Sequence, residues 1–166
     1  MTLEQIIETA IVPTMRMLPS MDSRSARVML LAIGLQESRF THRYQVVQGK
    51  PDAKGPARGF WQFERAGGVA GVLGYNAGRP NVAATAKAIC KRRNVPSNAY
   101  DVWLALEQDD VLACGFARLL LRTDPQPLPE VGDAKAAWDL YLRTWRPGKP
   151  HQATWRAFYE QAVEST

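Results

Sequence analysis

Val28-Met29-Leu30-Leu31-Ala32-Ile33-Gly34-Leu35-Gln36-Glu37-Ser38-Arg39-Phe40 is the stretch on which the fold turns. Its first eight residues are apolar without interruption. A helix built from them is apolar on every side, which is the pattern of a helix buried by its neighbours. The run is far shorter than the roughly 20 residues a membrane span needs. Asp22 or Ser23 stands where a helix N-cap belongs. Polar residues take over at Gln36, so Glu37 falls at the C-terminal end of the buried helix, beside irregular chain. A carboxyl there is partly desolvated and faces the negative end of the helix dipole. Both effects raise its pKa, which suits a group that must donate a proton near neutral pH. A surface glutamate that merely ends a helix is the other reading of the same position.

Upstream, Leu3, Ile6, Ile7, Ala10 and Ile11 recur at helical spacing and Pro19 closes the segment. Downstream the pattern breaks between Thr41 and Pro56. Tyr44 to Val47 reads as a short strand, and Gly49, Pro51, Asp52, Gly55 and Pro56 read as turn chemistry. Helical patterns return near Val69 and over Val82 to Arg93, Asp101 to Leu106 and Val111 to Leu121, the last capped by Asp109 or Asp110. Two more follow, Asp133 to Trp145 and Thr154 to Val163. The expectation is a mainly α single domain over residues 1–166, with a buried central helix and a small extended insert.

Of the residues, 46% are hydrophobic and 22% charged, which excludes a disordered chain. The net charge of +5 concentrates polyanionic partners without choosing among nucleic acid, anionic membrane and anionic cell wall. Glu4 and Glu8 stand where a signal peptide needs a basic start, so the expectation is a protein made in the cytoplasm. Cys90 and Cys114 read as free thiols. His42 and His151 lack metal-ligand spacing, so no metal is expected. Gly67 to Gly71 fits no phosphate loop or dinucleotide fingerprint, and Lys91-Arg92-Arg93 reads as a solvated helix end.

Eighteen residues beyond Glu37 begins Gly55-Pro56-Ala57-Arg58-Gly59-Phe60-Trp61-Gln62-Phe63-Glu64. Glu37-Ser38-Arg39-Phe40 together with Gly59-Phe60-Trp61-Gln62 resembles the goose-type lysozyme and lytic transglycosylase families, whose pattern is Glu-Ser-x-Phe followed by Gly-Leu-Met-Gln or a close variant. The resemblance implies a lysozyme-like helical domain that cleaves the β-1,4 bond between N-acetylmuramic acid and N-acetylglucosamine in peptidoglycan, without a cofactor. It implies that Glu37 is the general acid/base, and that Ser38, Gln62 and a tyrosine hold the sugar or orient the acid. It also implies a wall-degrading enzyme of bacteriophage or prophage type, an endolysin or virion-associated lysin.

This chain departs from the family's Leu-Met with Phe60 and Trp61. Phe60 reads as core, whereas Trp61 reads either as core or as a platform for a sugar face. The family's Tyr-Asn-Ala-Gly occurs literally at Tyr75 to Gly78, only thirteen residues after Gln62. Tyr141 lies where the family's tyrosine normally falls and is preferred. Glu64 is a candidate second carboxylate, since glycosidases commonly pair two. It is equally a solvated partner for Arg65 or Arg58. Asp52 ranks below it. The rival from another class is a basic helical interaction protein, binding nucleic acid or serving as a phage structural part.

Overall fold

The computed structural model describes residues 1–75 and 79–166, without the side chains of Pro51, Asp52 and Pro80. The chain is mainly helical, with one small antiparallel sheet. It opens with α1 (Leu3–Ile6), a π turn at Ile7–Ile11 and α2 (Val12–Met17). The π turn ends two residues before Pro13. Proline lacks the N–H that a regular helix would use and crowds the carbonyl four residues back. Widening that turn, with the Val12 N–H reaching the Ile7 carbonyl, lets the helix pass through it.

Ser23 caps α3 (Arg24–Ser38) by accepting from the Ala26 N–H, while Asp22 pairs with Arg27 at 2.7 Å. Every residue of α3 from Val28 to Leu35 is buried, as the sequence requires. The helix ends in a tight reversal. Arg39 and Phe40 both adopt left-handed backbone, with φ of 51° and 53°. Two such residues in succession, neither of them glycine, are uncommon and strained. The reversal folds the Phe40 ring back onto Gly34, where an added Cβ would lie 2.1 Å from the ring. Glycine in mid-helix costs up to about 1 kcal/mol, and here it makes room for that ring.

The insert is more regular than its glycines and prolines suggest. β1 (Tyr44–Val47) turns at Gly49, φ 75°, into β2 (Lys50–Arg58), and β2 pairs with β3 (Phe63–Glu64). The expectation of turns at Pro51, Asp52, Gly55 and Pro56 is corrected: all four lie within β2. Shifts in the β1–β2 register absorb them, as bulges admit residues that a regular ladder rejects. Arg58 of β2 is buried, 3.0 Å from Glu107, with its guanidinium 4.2 Å from the centre of the Trp103 ring. Trp103 in turn donates to the Pro56 carbonyl at 2.7 Å. These contacts fasten the sheet to the helices that follow.

A π turn at Arg65–Val69 leads into the short α4 (Ala70–Val72), then α5 (Pro80–Arg92), α6 (Ala99–Ala105), α7 (Asp110–Thr123), α8 (Ala134–Trp145) and α9 (Gln152–Glu164). Asp109 caps α7 and Asp133 caps α8. α7 is a second buried helix, with every residue from Leu112 to Leu121 inside. It meets α2, α3, α5 and α8, while α3 packs along α9. Buried apolar side chains from Ile6 to Ala162 form one cluster. Cys90 and Cys114 are buried, unpaired thiols that burial pushes up to about 11 and about 12, so they are poor nucleophiles. Among the described residues no helix is long and apolar enough to cross a membrane.

Candidate functional site

Glu37 lies one residue from the end of α3 and is half-buried. Tyr141, from the last turns of α8, donates its hydroxyl to Glu37 Oε1 at 2.7 Å. Burial pushes the Glu37 carboxyl up to about 7, against the Tyr141 hydrogen bond, which pulls the other way. The Tyr141 hydroxyl is itself held above its ordinary range, by burial first and then by the Glu37 charge. A carboxyl poised near neutrality and oriented by a fixed donor can give a proton or take one.

The helix that carries Tyr141 is anchored on three sides. Arg143 donates to Asp124 at 2.9 Å, tying α8 to the end of α7. Trp145 donates its indole N–H to the Trp61 carbonyl at 2.9 Å. Trp155 of α9 stacks on the Tyr141 ring, with centroids 5.3 Å apart and planes within 17°. The ring therefore has little freedom to swing away from Glu37. Trp145 and Trp155 were not among the residues the sequence put forward for the site. Their signal was present: Trp138, Tyr141 and Trp145 share one face of α8 by helical spacing, and Trp155 and Tyr159 repeat it on α9.

The two segments that carry the family resemblance meet in space. Phe40 packs edge-on against Phe60 at 5.5 Å and Trp61 at 5.8 Å. Gly59 adopts φ of 73°, and an added Cβ would lie 2.8 Å from the Leu106 carbonyl oxygen, so only glycine fits. Its N–H reaches the Arg43 carbonyl at 2.8 Å. Gln62 also adopts left-handed backbone, and its side-chain amide donates to the Gly59 carbonyl at 2.9 Å. It closes its own turn and contacts no atom of Glu37 by hydrogen bond. Ser38 likewise works locally, donating to the Gly34 carbonyl at 3.3 Å and accepting from the Phe40 N–H at 3.1 Å. It holds the reversal that ends α3.

Trp61 is corrected from possible sugar platform to core. It is fully buried, and its indole donates to the Leu30 carbonyl at 2.8 Å. No face of the ring is open to a ligand. Glu64 is exposed at the end of β3 and forms no ion pair or side-chain hydrogen bond among the described residues. Its suggested partner Arg58 belongs to Glu107. Tyr75 is 56% exposed, and the Asn76-Ala77-Gly78 that completes its motif lies outside the described residues. Tyr141 is thus the tyrosine that meets Glu37. The Asp52 side chain also lies outside the described residues. Among the described residues, no three His, Cys, Asp or Glu side chains converge as a metal-binding set.

The raised Glu37 carboxyl has a consequence for stability. Its folded value, about 7, lies above the ordinary 4.5. The folded chain therefore keeps a proton that the unfolded chain releases, so stability is highest below the ordinary value and falls as pH rises towards 7. The loss amounts to up to about 3 kcal/mol, at 1.36 kcal/mol per pKa unit. Urea midpoints between pH 5 and 8 should fall for the parent and fall less for Glu37→Gln, which has nothing to ionise. Parallel curves for the two proteins would mean that Glu37 titrates normally.

Compared with known proteins, the chain matches no family model, no curated protein and no solved structure.

Proposed function

We propose that this protein cleaves the glycan strands of peptidoglycan, as a muramidase or lytic transglycosylase with a lysozyme-like arrangement, using Glu37 as general acid/base. The observation that carries the reading is the Tyr141–Glu37 contact, which fixes the direction of a half-buried carboxyl that burial raises to about 7 at the end of a buried helix. Support comes from the packing of Glu37-Ser38-Arg39-Phe40 against Gly59-Phe60-Trp61-Gln62 through Phe40. In this reading Glu37 protonates the glycosidic oxygen as the bond to N-acetylglucosamine breaks, and Tyr141 fixes the direction of the carboxyl. No cofactor takes part. Ser38 acts by holding the reversal that follows the acid, and Gln62 by closing the Gly59 turn. The substrate is a wall polymer, and the net charge of +5 favours an anionic one. Action on the cell wall by a bacteriophage or prophage lysin follows from the same resemblance.

Hydrolysis and transglycosylation part at the second step. A hydrolase activates water or forms a covalent intermediate, which usually calls on a second carboxylate. A transglycosylase lets the muramic acid's own 6-hydroxyl attack, so Glu37 alone takes up that proton and a 1,6-anhydro end results. Glu64 is exposed at the end of β3, with no side-chain partner among the described residues to fix its direction as a paired catalytic carboxylate would be fixed, and this favours the second course. Mass spectrometry of released muropeptides should therefore show anhydro ends, lighter by one water, and Glu64→Gln should retain its rate. Reducing ends, with a severe loss in Glu64→Gln, would return Glu64 to the mechanism.

A further inference from the structure

A cavity of about 660 Å³ lies between the start of α8 and the length of α9, and Glu37 is not among its lining residues. Trp138, Trp155 and Tyr159 form its inner wall. Tyr141 does not line it. Trp155 lines the cavity and stacks on Tyr141, while Trp138 meets the Tyr141 ring at 5.2 Å and Trp155 at 5.3 Å. The same two indoles thus border a water-accessible space and touch the ring that holds Glu37. They are well anchored. Trp155 donates to the Ala134 carbonyl at 2.8 Å, and Tyr159, which stacks behind it at 6.2 Å, accepts from the Gly132 N–H at 3.1 Å. Trp138 and Trp155 are 6% and 3% exposed, so the wall is closed.

We propose that Trp138 and Trp155 form a water barrier behind the proposed acid, positioning residues that keep the Tyr141–Glu37 pair dry from the cavity side. Burying a carboxyl disfavours its charged form, and a water path to the pair would relieve that. The surroundings leave burial to dominate. From α8, Tyr141 is the group that reaches the carboxylate, and Arg143 is taken by Asp124. From α9, His151 engages Gln36 through its backbone carbonyl. Arg39, beyond the end of α3, lies over the Phe158 ring at 5.8 Å. Glu64 is exposed on β3. The catalytic part of this inference rests on the proposed function, but the barrier itself does not.

The test follows the Glu37 carboxyl by ¹³C NMR titration, which needs no substrate. Trp155→Met keeps an apolar side chain but removes the flat indole, and its Glu37 midpoint should fall from about 7 by at least about one unit, the size of shift that marks a changed environment. Trp155→Phe restores a ring and should return the midpoint to the parent's value. Val163→Ala enlarges the same cavity without touching the wall and should leave it unchanged. Circular dichroism selects folded variants, and Trp138→Met serves in the same way should Trp155→Met fail to fold. An unchanged midpoint in a folded Met variant overturns the barrier, as does an equal fall in Val163→Ala. Muropeptide release is read separately: a shifted midpoint with no release from the parent keeps the barrier and removes the glycosidase reading.

Discussion

Glu37→Gln leaves the fold standing and stops muropeptide release. Glutamine has nearly the shape of glutamic acid, and its amide oxygen can accept the Tyr141 hydroxyl that now reaches Glu37 Oε1 at 2.7 Å. The packing of α3 against α8 and α9 is therefore preserved. What is lost is the exchangeable proton, and general acid catalysis is worth about 10²–10⁴-fold. The rate of release from purified wall should fall by at least that factor, while the urea midpoint at pH 8 holds or rises. A variant with turnover near the parent's would take Glu37 out of the mechanism.

Trp61→Ala should cost about 3–5 kcal/mol, the usual range for emptying a buried aromatic site. The ring is fully buried beside Phe40, and the change also leaves the Leu30 carbonyl without its indole donor. A loss of that size is a large fraction of a domain's whole stability. Trp61→Phe should be milder, because it keeps most of the volume and surrenders one buried hydrogen bond worth about 1 kcal/mol. Urea denaturation of the two variants measures both numbers. If Trp61→Ala were to fold as stably as the parent while binding glycan poorly, Trp61 would be a sugar platform after all.

The buried helix was legible because Val28 to Leu35 leaves no polar face for solvent, and its cap was narrowed to Asp22 or Ser23, of which Ser23 serves. Asp133 announced α8 in the same way, and of the two aspartates read before α7, Asp109 and Asp110, Asp109 is the cap. β2 was not legible. Its prolines and glycines carry turn propensity, and pairing with β1 and β3 overrode it through bulges that no local pattern reports. Nor did α7's burial stand out, since Arg118 interrupts its apolar run yet is buried with its guanidinium against the Met21 carbonyl. At the site, Glu37 and Tyr141, which the structure brings together, were both singled out in the sequence, Glu37 from its position joined to the resemblance and Tyr141 from the resemblance. The roles of Trp61, Trp138 and Trp155 depend on which ring faces which. That is decided by helices far apart in sequence, so a tryptophan read alone says core or platform with equal ease.

The central claim is that this chain releases muropeptides from peptidoglycan through Glu37. Purified wall should be incubated with the parent and with Glu37→Gln side by side at pH 6, and the soluble products separated and weighed. The account predicts disaccharide-peptide fragments with muramic acid ends from the parent and none above background from the variant. Equal release by both proteins, or no release by a folded parent, would contradict it.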